Sequence, residues 1–365
     1  MRILTRYVLR EFVVPLVYCL TGFLSIYVLF ELFGSFSRMA EAKPPFGKIV
    51  SYFAGYVAPY FEWLAPACLM LATLYTMWRF CRHSEIIAMR ASGIGFFAIV
   101  KPLLAVAVLM AAFTAWVNES YVPRRAQWAK QFRDARFKED EMTHADDLVY
   151  HNAKADRTWN VGAVMNDTAT ALENVKVVED WPGGARKTTV IADRAEYLDG
   201  QWFFLNPKAY YYDRSGVETA SPVPELDSLT LRSFPGFSER PSDFLLVNKD
   251  RAFYSISDRL RYLETHPSLA PDSVRSYRYD IWAKVFSPLA CLVITLFAIP
   301  AGIATGRQSV FRGIVTALCM FFAFYGITIG FMILAKKGLC PPLVAAALPD
   351  VVFFFIGLRM FWRQR

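Results

Sequence analysis

Charged residues are scarce in this chain of 365 residues. Asp, Glu, Lys and Arg make up 20% of it, whereas apolar residues make up 55% and aromatic residues 16%. Soluble domains carry roughly 25% charged residues, so a set of ordinary soluble domains fits poorly. Disorder, a collagen-like repeat and a nucleic-acid-binding globule fit poorly as well. The mean hydropathy of +0.27 is nevertheless too low for a wholly embedded membrane protein, which indicates a substantial water-exposed part.

Patterns that carry catalytic or metal chemistry are missing too. The four histidines (His83, His144, His151 and His266) are scattered, and neither H-E-x-x-H nor G-x-S-x-G occurs. No C-x-x-C pair exists, and none of the six cysteines lies in residues 139–250. The nearest approach to a nucleotide-binding P-loop, GIATGR at 302–307, lacks its lysine and Ser/Thr. The sequence therefore predicts no catalytic residue, metal site, cofactor or disulfide framework, and any ATP hydrolysis must come from another polypeptide.

The acidic residues are concentrated in one segment. Residues 139–250 hold 20 Asp and Glu against 11 Lys and Arg, a net charge of −9, whereas the rest of the chain has a net charge of +17. A basic membrane part that carries an acidic soluble insert accounts for this distribution.

Six apolar stretches are long enough to cross a bilayer, because a membrane helix needs roughly 20 residues. They comprise residues 12–33, 56–78, 96–117, 281–304, 313–334 and 342–361. The first is too long for a cleaved signal peptide, and no small-residue cleavage site follows it. The sequence thus predicts a bundle of six transmembrane helices.

Lysines and arginines in the short connections predict the orientation. With the N-terminus inside, the cytoplasmic side receives eleven cations and the opposite side five. Both termini are therefore expected inside, and the long segment 118–280 outside. We expect three parts: residues 1–138 with spans one to three, residues 139–250 as the external domain, and residues 251–365 with a connecting helix and spans four to six.

The external segment is expected to be all-β. Runs rich in β-branched and aromatic residues lie at 148–150, 157–161, 175–178, 188–192, 202–205 and 209–212. Turn signals separate them: Asn166-Asp167, Pro182-Gly183-Gly184, Asp199-Gly200, Asn206-Pro207 and Ser215-Gly216. This spacing predicts an antiparallel sandwich or jellyroll. Some strands are aromatic on both faces, so either both faces are packed or the sheets open to hold acyl chains.

A short helix is predicted between spans two and three, in the segment 84–93. Ser84 can cap it, Glu85 stands in its first turn, and Gly93 can end it. Glu85 and Arg90 would then be available to a partner. The segment is either an interfacial connector or a coupling helix that fits a groove on a motor subunit.

A basic run follows span three. It contains Arg124, Arg125, Lys130, Arg133, Arg136 and Lys138, opposed only by Asp134. On a helix, Lys130 and Arg133 share a face, with Arg136 or Phe137 one turn further on. The run is either a solvated charged helix or a site for phosphate-bearing lipid headgroups, since Lys and Arg bind phosphate strongly.

Several short motifs, taken in order, resemble one family. They are Arg6-Tyr7 with Arg10-Glu11, Pro66, Ser84-Glu85 with Ala91-Ser92-Gly93, Tyr279, Trp282-Ala283-Lys284 and Phe286-Ser287-Pro288-Leu289. Across essentially its whole length the chain resembles the LptF/LptG (YjgP/YjgQ-type) lipopolysaccharide-export permeases. That family has six spans with a β-jellyroll inserted between the third and the fourth.

The resemblance implies a subunit in the bacterial inner membrane with its jellyroll in the periplasm. It implies an ABC transporter in which a pair of permeases, LptF with LptG, works with two copies of a cytoplasmic ATPase. The complex would extract lipopolysaccharide from the membrane and pass it towards a periplasmic bridge protein of the jellyroll type. This chain would pair with a homologous permease or with itself, and no nucleic acid is involved.

The resemblance also implies residue roles. Glu85, with Ser84 and Arg90 beside it, would meet the ATPase. Lys130 and Arg133, followed by Arg136, would match the outer basic residues after span three, and Arg38 the cation just beyond span one.

One position departs from the family. Glu31 stands in the outer part of span one, where the family carries a lysine, so a phosphate contact there is in doubt. Glu31 could instead bind a cation, pair with Arg38 or Lys43, or reflect a different lipid. The sequence leaves two other functions open. One is a non-transporting scaffold that displays a ligand-binding β-domain, and the other is a lipid-modifying membrane enzyme, for which only Glu31 and Glu62 could supply carboxylates.

Overall fold

The structure, a computed structural model, describes residues 2–138, 148–165, 168–181, 184–219, 231–234, 236–247, 249–267, 269–303 and 310–363. It forms two compact units. Met1–Lys130 and Pro271–Arg365 make up the bundle unit, and Gln131–Ala270 make up the inserted unit. The domain boundaries expected at 138/139 and 250/251 remain predictions.

Helices account for most of the bundle unit, and two short ones belong to the inserted unit. In chain order they are α1 (Arg2–Ala42), α2 (Phe46–Val57), α3 (Phe61–Arg82), α4 (Glu85–Ala91), α5 (Phe96–Trp116), α6 (Val122–Asp134), α7 (Pro241–Val247), α8 (Ile256–Thr265), α9 (Pro271–Phe286), α10 (Ala290–Ile303), α11 (Val310–Lys336) and α12 (Pro342–Trp362). A 3₁₀ turn joins α2 to α3, and a π-helical turn at Val117–Tyr121 joins α5 to α6.

In the residues that the structure describes, six helical stretches are long and apolar enough to cross a membrane. They are Ile3–Ala42, Phe46–Arg82, Phe96–Asp134, Pro271–Ile303, Gly313–Lys336 and Pro342–Trp362. Each contains one of the six predicted spans, or all but its end residue, so the prediction of a six-helix membrane bundle is confirmed. Most of the stretches run beyond the apolar segment, because the helix continues into polar residues at the membrane boundary.

The centre of the bundle is formed by α3 and α10. Gly302 of α10 lies so close to α3 that a Cβ built on it would stand 2.7 Å from Met77 Cβ. Small residues at such crossings let membrane helices approach closely and pack well. In contrast, α1 and α11 expose many apolar side chains, which suits helices that face lipid or another membrane subunit.

One carboxyl group lies inside the bundle. Asp350 of α12 is 8% exposed, and no described residue forms a hydrogen bond with its Oδ1. Some buried hydroxyl groups of the bundle are satisfied locally, since Thr76 and Thr295 donate to carbonyls one turn back, those of Ala72 and Cys291. Ionisable groups in membrane helices are rare and costly, so Asp350 is an exception that needs a reason.

Among its described residues, the inserted unit contains an antiparallel sheet of eight strands. They are β1 (Leu148–Asn152), β2 (Arg157–Val164), β3 (Ala171–Asp180), β4 (Arg186–Leu198), β5 (Gln201–Leu205), β6 (Lys208–Tyr212), β7 (Glu218–Thr219) and β8 (Leu231–Ser233). The order is β1-β2-β3-β4-β5-β8, and β6 pairs with β4 and β7. The long strand β4 pairs with β3 along one edge. Along its other edge, residues 194–198 pair with β5 and residues 188–191 pair with β6.

All six predicted strands are present, so the expectation of an all-β insert is confirmed. Asp199 and Gly200, with φ of 48° and 83°, form the tight turn between β4 and β5 that their sequence predicts. The predicted turns at Asn166-Asp167 and Pro182-Gly183 lie outside the described residues.

One face of the sheet is packed around aromatic rings. Trp159, Trp202 and Phe204 are buried there with Phe244 of α7, at ring-centroid distances between 5.0 and 5.8 Å. Phe203, which points to the other face, is only partly buried. A strand that is aromatic on both faces therefore has one closed face, and the acyl-chain alternative stays a prediction.

Buried charges of the inserted unit are paired. Arg157 donates to both carboxylate oxygens of Glu239, at 3.2 and 3.0 Å, and the Glu239 side chain is 0% exposed. Asn152 donates to the same carboxylate at 2.8 Å. Similarly, Arg261 of α8 binds Asp243 of α7 with Nε and Nη2, at 2.9 and 2.8 Å. These bonds tie the segment after the strands to the sheet and to itself.

Candidate functional site

The first candidate site is the short helix α4, which follows α3 after a tight connection. Ser84 precedes it with φ 57° and ψ 18°, a left-handed conformation, and its side chain makes no capping hydrogen bond. A capping residue needs extended backbone so that its side-chain oxygen reaches the amides of the first turn. The prediction that Ser84 caps the helix is therefore wrong. The cause is the sharp turn after α3, in which the Ser84 amide donates to the Cys81 carbonyl at 3.1 Å.

The end of α4 follows the prediction. Gly93 has φ +81°, its amide donates to the Arg90 carbonyl at 3.0 Å, and the Ile94 amide donates to the Met89 carbonyl at 3.1 Å. These two bonds make up a Schellman motif, which needs glycine in the left-handed position.

Two contacts fasten α4 to the bundle. The Tyr7 hydroxyl of α1 donates to Glu85 Oε2 at 2.9 Å. Ile86 is buried in the same apolar cluster as Val8 and Phe12 of α1. One turn along α1, Glu11 forms an ion pair with Arg79 of α3. As a result, α4, the start of α1 and the end of α3 form one packed group.

The opposite side of α4 is open. Ile87 is 70% exposed, and Ala88, Arg90 and Ala91 are exposed beside it. A large apolar side chain in this position, next to a cation, is typical of a surface that receives another protein.

The second candidate site lies at the opposite end of the bundle, where α1 meets α2. Glu31 accepts hydrogen bonds from the Ser35 hydroxyl, at 2.7 Å, and from the buried Tyr52 hydroxyl of α2. Arg38 of α1 is exposed and donates to the Ser35 hydroxyl at 3.4 Å. Glu31 thus fixes α1 to α2, a role that none of the three alternatives raised for it had included.

Next to this contact, α2 touches α6 almost backbone to backbone. A Cβ built on Gly55 would lie 2.5 Å from the Arg125 carbonyl oxygen and 3.0 Å from Ala129 Cβ. The buried stripe of α6, Val122, Ala126 and Ala129, recurs every three or four residues, as the buried face of a helix does. Lys130 follows directly on Ala129 and is partly exposed at the rim of this contact.

The remaining predicted cations belong to the inserted unit. Arg133 lies in the last turn of α6 and stands 3.8 Å from the carboxylate of Asp134. The helix then ends, since Arg136 and Phe137 have φ of 51° and 64° and the Phe137 amide donates to the Phe132 carbonyl at 2.9 Å. The prediction that Arg136 or Phe137 continues the helical face is therefore wrong. Phe137 is buried against Phe132, and Arg136 is exposed in the turn.

Sequence reasoning missed four residues of these sites: Tyr7, Tyr52, Gly55 and Ile87. Tyr7 was noticed only as part of a motif, without a role. An isoleucine between charged residues on a short polar connection was a usable signal for Ile87. Nothing in the local pattern indicated the partners of Tyr52 or Gly55, because those partners lie 21 or more positions away.

Metal binding finds no support in either site. Within the part of the chain that the structure describes, no group of three or more His, Cys, Asp or Glu side chains could hold a metal ion. The chemistry available is that of charge, hydrogen bonding and apolar contact.

The fold and these two sites define a multi-pass membrane subunit with an inserted all-β unit. The chain belongs to the LptF/LptG family, because the family profile "Lipopolysaccharide export system permease LptF/LptG" matches residues 6–363. It is 24% identical over 308 residues to the lipopolysaccharide export system permease protein LptG of Escherichia coli strain K12, which covers 82% of this chain and 81% of that protein. The LptG of Escherichia coli O6:H1 strain CFT073 gives the same values. The resemblance is thus confirmed, and the chain is a multi-pass inner-membrane protein of a permease family.

Proposed function

We propose that this chain is a permease subunit that extracts lipopolysaccharide, or a related glycolipid, from the inner membrane. A separate cytoplasmic ABC ATPase dimer drives it, and it works beside a homologous permease or a second copy of itself. A periplasmic bridge protein of the jellyroll type receives the lipid. In this arrangement both termini and α4 are cytoplasmic, and the inserted unit is periplasmic.

The geometry of α4 is the observation that carries the proposal. Its inner side is fastened by Ile86 and by the Tyr7–Glu85 hydrogen bond, so a force applied to α4 reaches α1 directly. Its outer side offers Ile87 and Arg90 to a partner. A scaffold that only displayed a β-domain would need no such helix.

Capture of the ATPase tests this part. We expect Ile87→Glu and Glu85→Ala each to reduce copurification of the ATPase with the full-length permease by more than tenfold. Glu85→Ala removes the hydrogen bond from Tyr7 that holds α4 on α1, and a hydrogen bond to a charged group contributes roughly 1.5–3 kcal/mol, at the low end where it is exposed. Ile87→Glu places a charge in the apolar surface that would face the ATPase. The matched control for the lost carboxylate is Glu41→Ala, at the opposite end of α1, which should capture normal amounts. Normal capture by both α4 variants would contradict the assignment of α4.

The lipid-binding part rests on Lys130, Arg133, Arg136 and Arg38. In the bundle unit, Lys130 and Arg38 each lie beside α2, one on α6 and the other on α1. Arg133 follows Lys130 by less than one turn of α6. Cations at the outer membrane boundary would bind the phosphates of a glycolipid headgroup.

Charge reversal tests this second part. Lys130→Glu with Arg133→Glu should lower lipid extraction by more than tenfold. Each charge-assisted contact contributes roughly 1.5–3 kcal/mol, less where water screens it. ATPase capture should persist. Arg278→Glu, at an exposed position of α9, is the matched control. Normal lipid extraction by the double variant would mean that the basic run is an ordinary solvated helix. A loss of lipid extraction in the Arg278→Glu control would show an effect of net charge alone.

A further inference from the structure

The π-helical turn between α5 and α6 deprives the Asn118 carbonyl of the donor that a regular α-helix would supply. In this turn the Val122 amide donates to the Val117 carbonyl, five positions back. A regular α-helix would direct the Val122 amide to the Asn118 carbonyl instead. The next residue, Pro123, has no amide hydrogen. Consequently the Asn118 carbonyl receives no hydrogen bond from position 122 or from position 123, the donor positions of an α-helical and of a π-helical turn.

A lysine from span four takes the place of the missing donor. Lys284 Nζ of α9 donates to the Asn118 carbonyl oxygen at 3.0 Å and stands 3.8 Å from a carboxylate oxygen of Glu119. The Lys284 side chain is only 13% exposed. The Asn118 side chain is also engaged, since its Nδ2 donates to Glu62 of α3 at 3.0 Å. The turn is thus held by groups from two other helices.

The turn decides which side of α6 faces α2. A π-helical turn accommodates one residue more than an α-helical turn, and one residue corresponds to a rotation of about 100°. In the observed register the small Ala129 packs against Gly55. The contact is so close that even a Cβ added to Gly55 would stand 3.0 Å from the Ala129 Cβ. A shift by one residue would bring Trp128 or Lys130 to that position, and Lys130 would no longer lie at the rim.

We propose that Lys284 is a positioning residue that stabilises the π-helical turn and thereby sets the side on which α6 presents Lys130. The part of this inference that concerns lipid rests on the proposed function, because it requires Lys130 to meet the headgroup. The part that concerns the turn rests only on the hydrogen bond between Lys284 and Asn118 and on the missing amide hydrogen of Pro123.

A double-mutant cycle between positions 123 and 284 tests the turn. Lys284→Met keeps the length of the side chain but removes the donor. We expect it to lower the apparent melting temperature of the full chain in nanodiscs by about 2–6 °C. Pro123→Ala restores an amide hydrogen to the turn. In that background, Lys284→Met should cost less than half as much, and Lys284→Arg should retain most of the stability of the unaltered protein.

Two further variants separate the carbonyl from the ion pair. Glu119→Gln removes the charge that stands 3.8 Å from Lys284 and should cost less than Lys284→Met. If Glu119→Gln costs as much, the ion pair is the important contact and the inference is wrong. Equal costs of Lys284→Met with Pro123 and with Pro123→Ala would also overturn it.

Accessibility of α6 reports the rotation directly. In a background without native cysteines, Ala126→Cys should resist a water-soluble thiol reagent and Arg124→Cys should react, because Ala126 is buried and Arg124 exposed. Adding Lys284→Met should raise the labelling rate at position 126 at least fivefold. An unchanged pattern would show that Lys284 does not set the orientation of α6.

Lipid contact is read separately, by crosslinking from a photoreactive residue at position 130. We expect Lys284→Met to reduce this crosslinking at least fivefold while ATPase capture stays normal. If position 130 fails to crosslink even with Lys284 in place, the proposed headgroup site is wrong. The thermal cycle and the thiol pattern still decide the role of Lys284 in that case.

Discussion

The two units of this protein differ in the partners that their buried charged residues have. In the inserted unit, Arg157 and Glu239 are both buried, and their charges meet at 3.0 Å with further hydrogen bonds around them. In the bundle unit, Asp350 is buried with an Oδ1 that no described residue binds. A charge pair whose members satisfy each other can serve as a structural element, whereas a buried carboxyl oxygen without a hydrogen-bond donor costs stability. The comparison predicts that removing a buried charge destabilises the inserted unit at Arg157 but leaves the stability of the bundle unit unchanged or slightly higher at Asp350.

The largest effect is expected from breaking the pair in the inserted unit. Arg157→Met leaves the Glu239 carboxylate buried without its cation and should lower the free energy of unfolding by roughly 3–5 kcal/mol. Hydrogen exchange of β2 and β5 in the full-length protein measures this loss. The double variant Arg157→Met with Glu239→Gln should cost clearly less than the two single changes together. Additive costs would show that the two residues stabilise the unit independently.

A smaller loss is expected where the bundle unit depends on close packing. Gly302→Ala places a Cβ 2.7 Å from Met77 Cβ, so α3 and α10 must move apart. Overpacking of this kind costs typically about 1–3 kcal/mol, which a lower melting temperature in nanodiscs would reveal. Gly326→Ala, on α11 with nothing within 4 Å of the added atom, is the matched control. An unchanged melting temperature for Gly302→Ala would mean that the bundle core is less tightly packed than described.

A pH-dependent loss of stability is expected in the inserted unit. Burial lowers the pKa of His266, and the nearby charge of His151 lowers it further, whereas the Tyr262 carbonyl and Asp243 oppose the shift. A histidine with a lowered pKa favours the folded state when neutral. That stability is complete above the unfolded pKa of about 6.5 and is lost as the pH falls through the lower, folded value. Hydrogen exchange of the inserted unit between pH 7.5 and 5 measures the slope.

His266→Gln is the variant that isolates this contribution. It should flatten the part of the pH profile below about 6.5. The ring of His266 stacks on Tyr262 at 4.2 Å, so some loss of stability at every pH is expected as well. If the slope is the same with and without the histidine, other groups of the unit cause the acid sensitivity.

The smallest effect is expected at Asp350. Asp350→Asn removes the ionisable group at nearly constant volume, and since Oδ1 has no described partner, the melting temperature should stay the same or rise slightly. A marked fall would show that the Asp350 carboxyl group stabilises the bundle unit and would remove the contrast between the units. Ser287→Ala, which removes another buried oxygen without a described partner, is a useful comparison.

Elements that depend on local pattern were predictable from the sequence. The six spans follow from apolar length, the strands from alternation, and the end of α4 from Gly93, because each is decided within a few residues. The predictions for Ser84 and Arg136 were wrong for a related reason. Both stand where a helix joins a sharp turn, and the backbone there has the left-handed conformation, which propensity alone does not reveal.

Contacts between distant segments were not predictable. Arg157 and Glu239 are 82 positions apart, and Tyr7 and Glu85 are 78 apart. Hydrophobic periodicity indicates which side of an element is buried but not which polar group meets it. Three of the four cations of the candidate headgroup site could be identified as a run. In contrast, Gly55, against which α6 packs, and Tyr52, which donates to Glu31, belong to α2, which carries no motif.

Helix α1 is long enough to connect the two candidate sites. Its 41 residues correspond to about 60 Å at 1.5 Å per residue, roughly twice the thickness of the hydrocarbon core of a bilayer. Near one end it is bound to α4 through Tyr7, and near the other end to α2 through Glu31. A tilt of about 5° at the first end displaces the second by roughly 5 Å, unless the helix bends at Pro15. If α4 is the coupling helix proposed above, the stiffness of α1 around this proline sets how much of a movement at α4 is transmitted to Arg38.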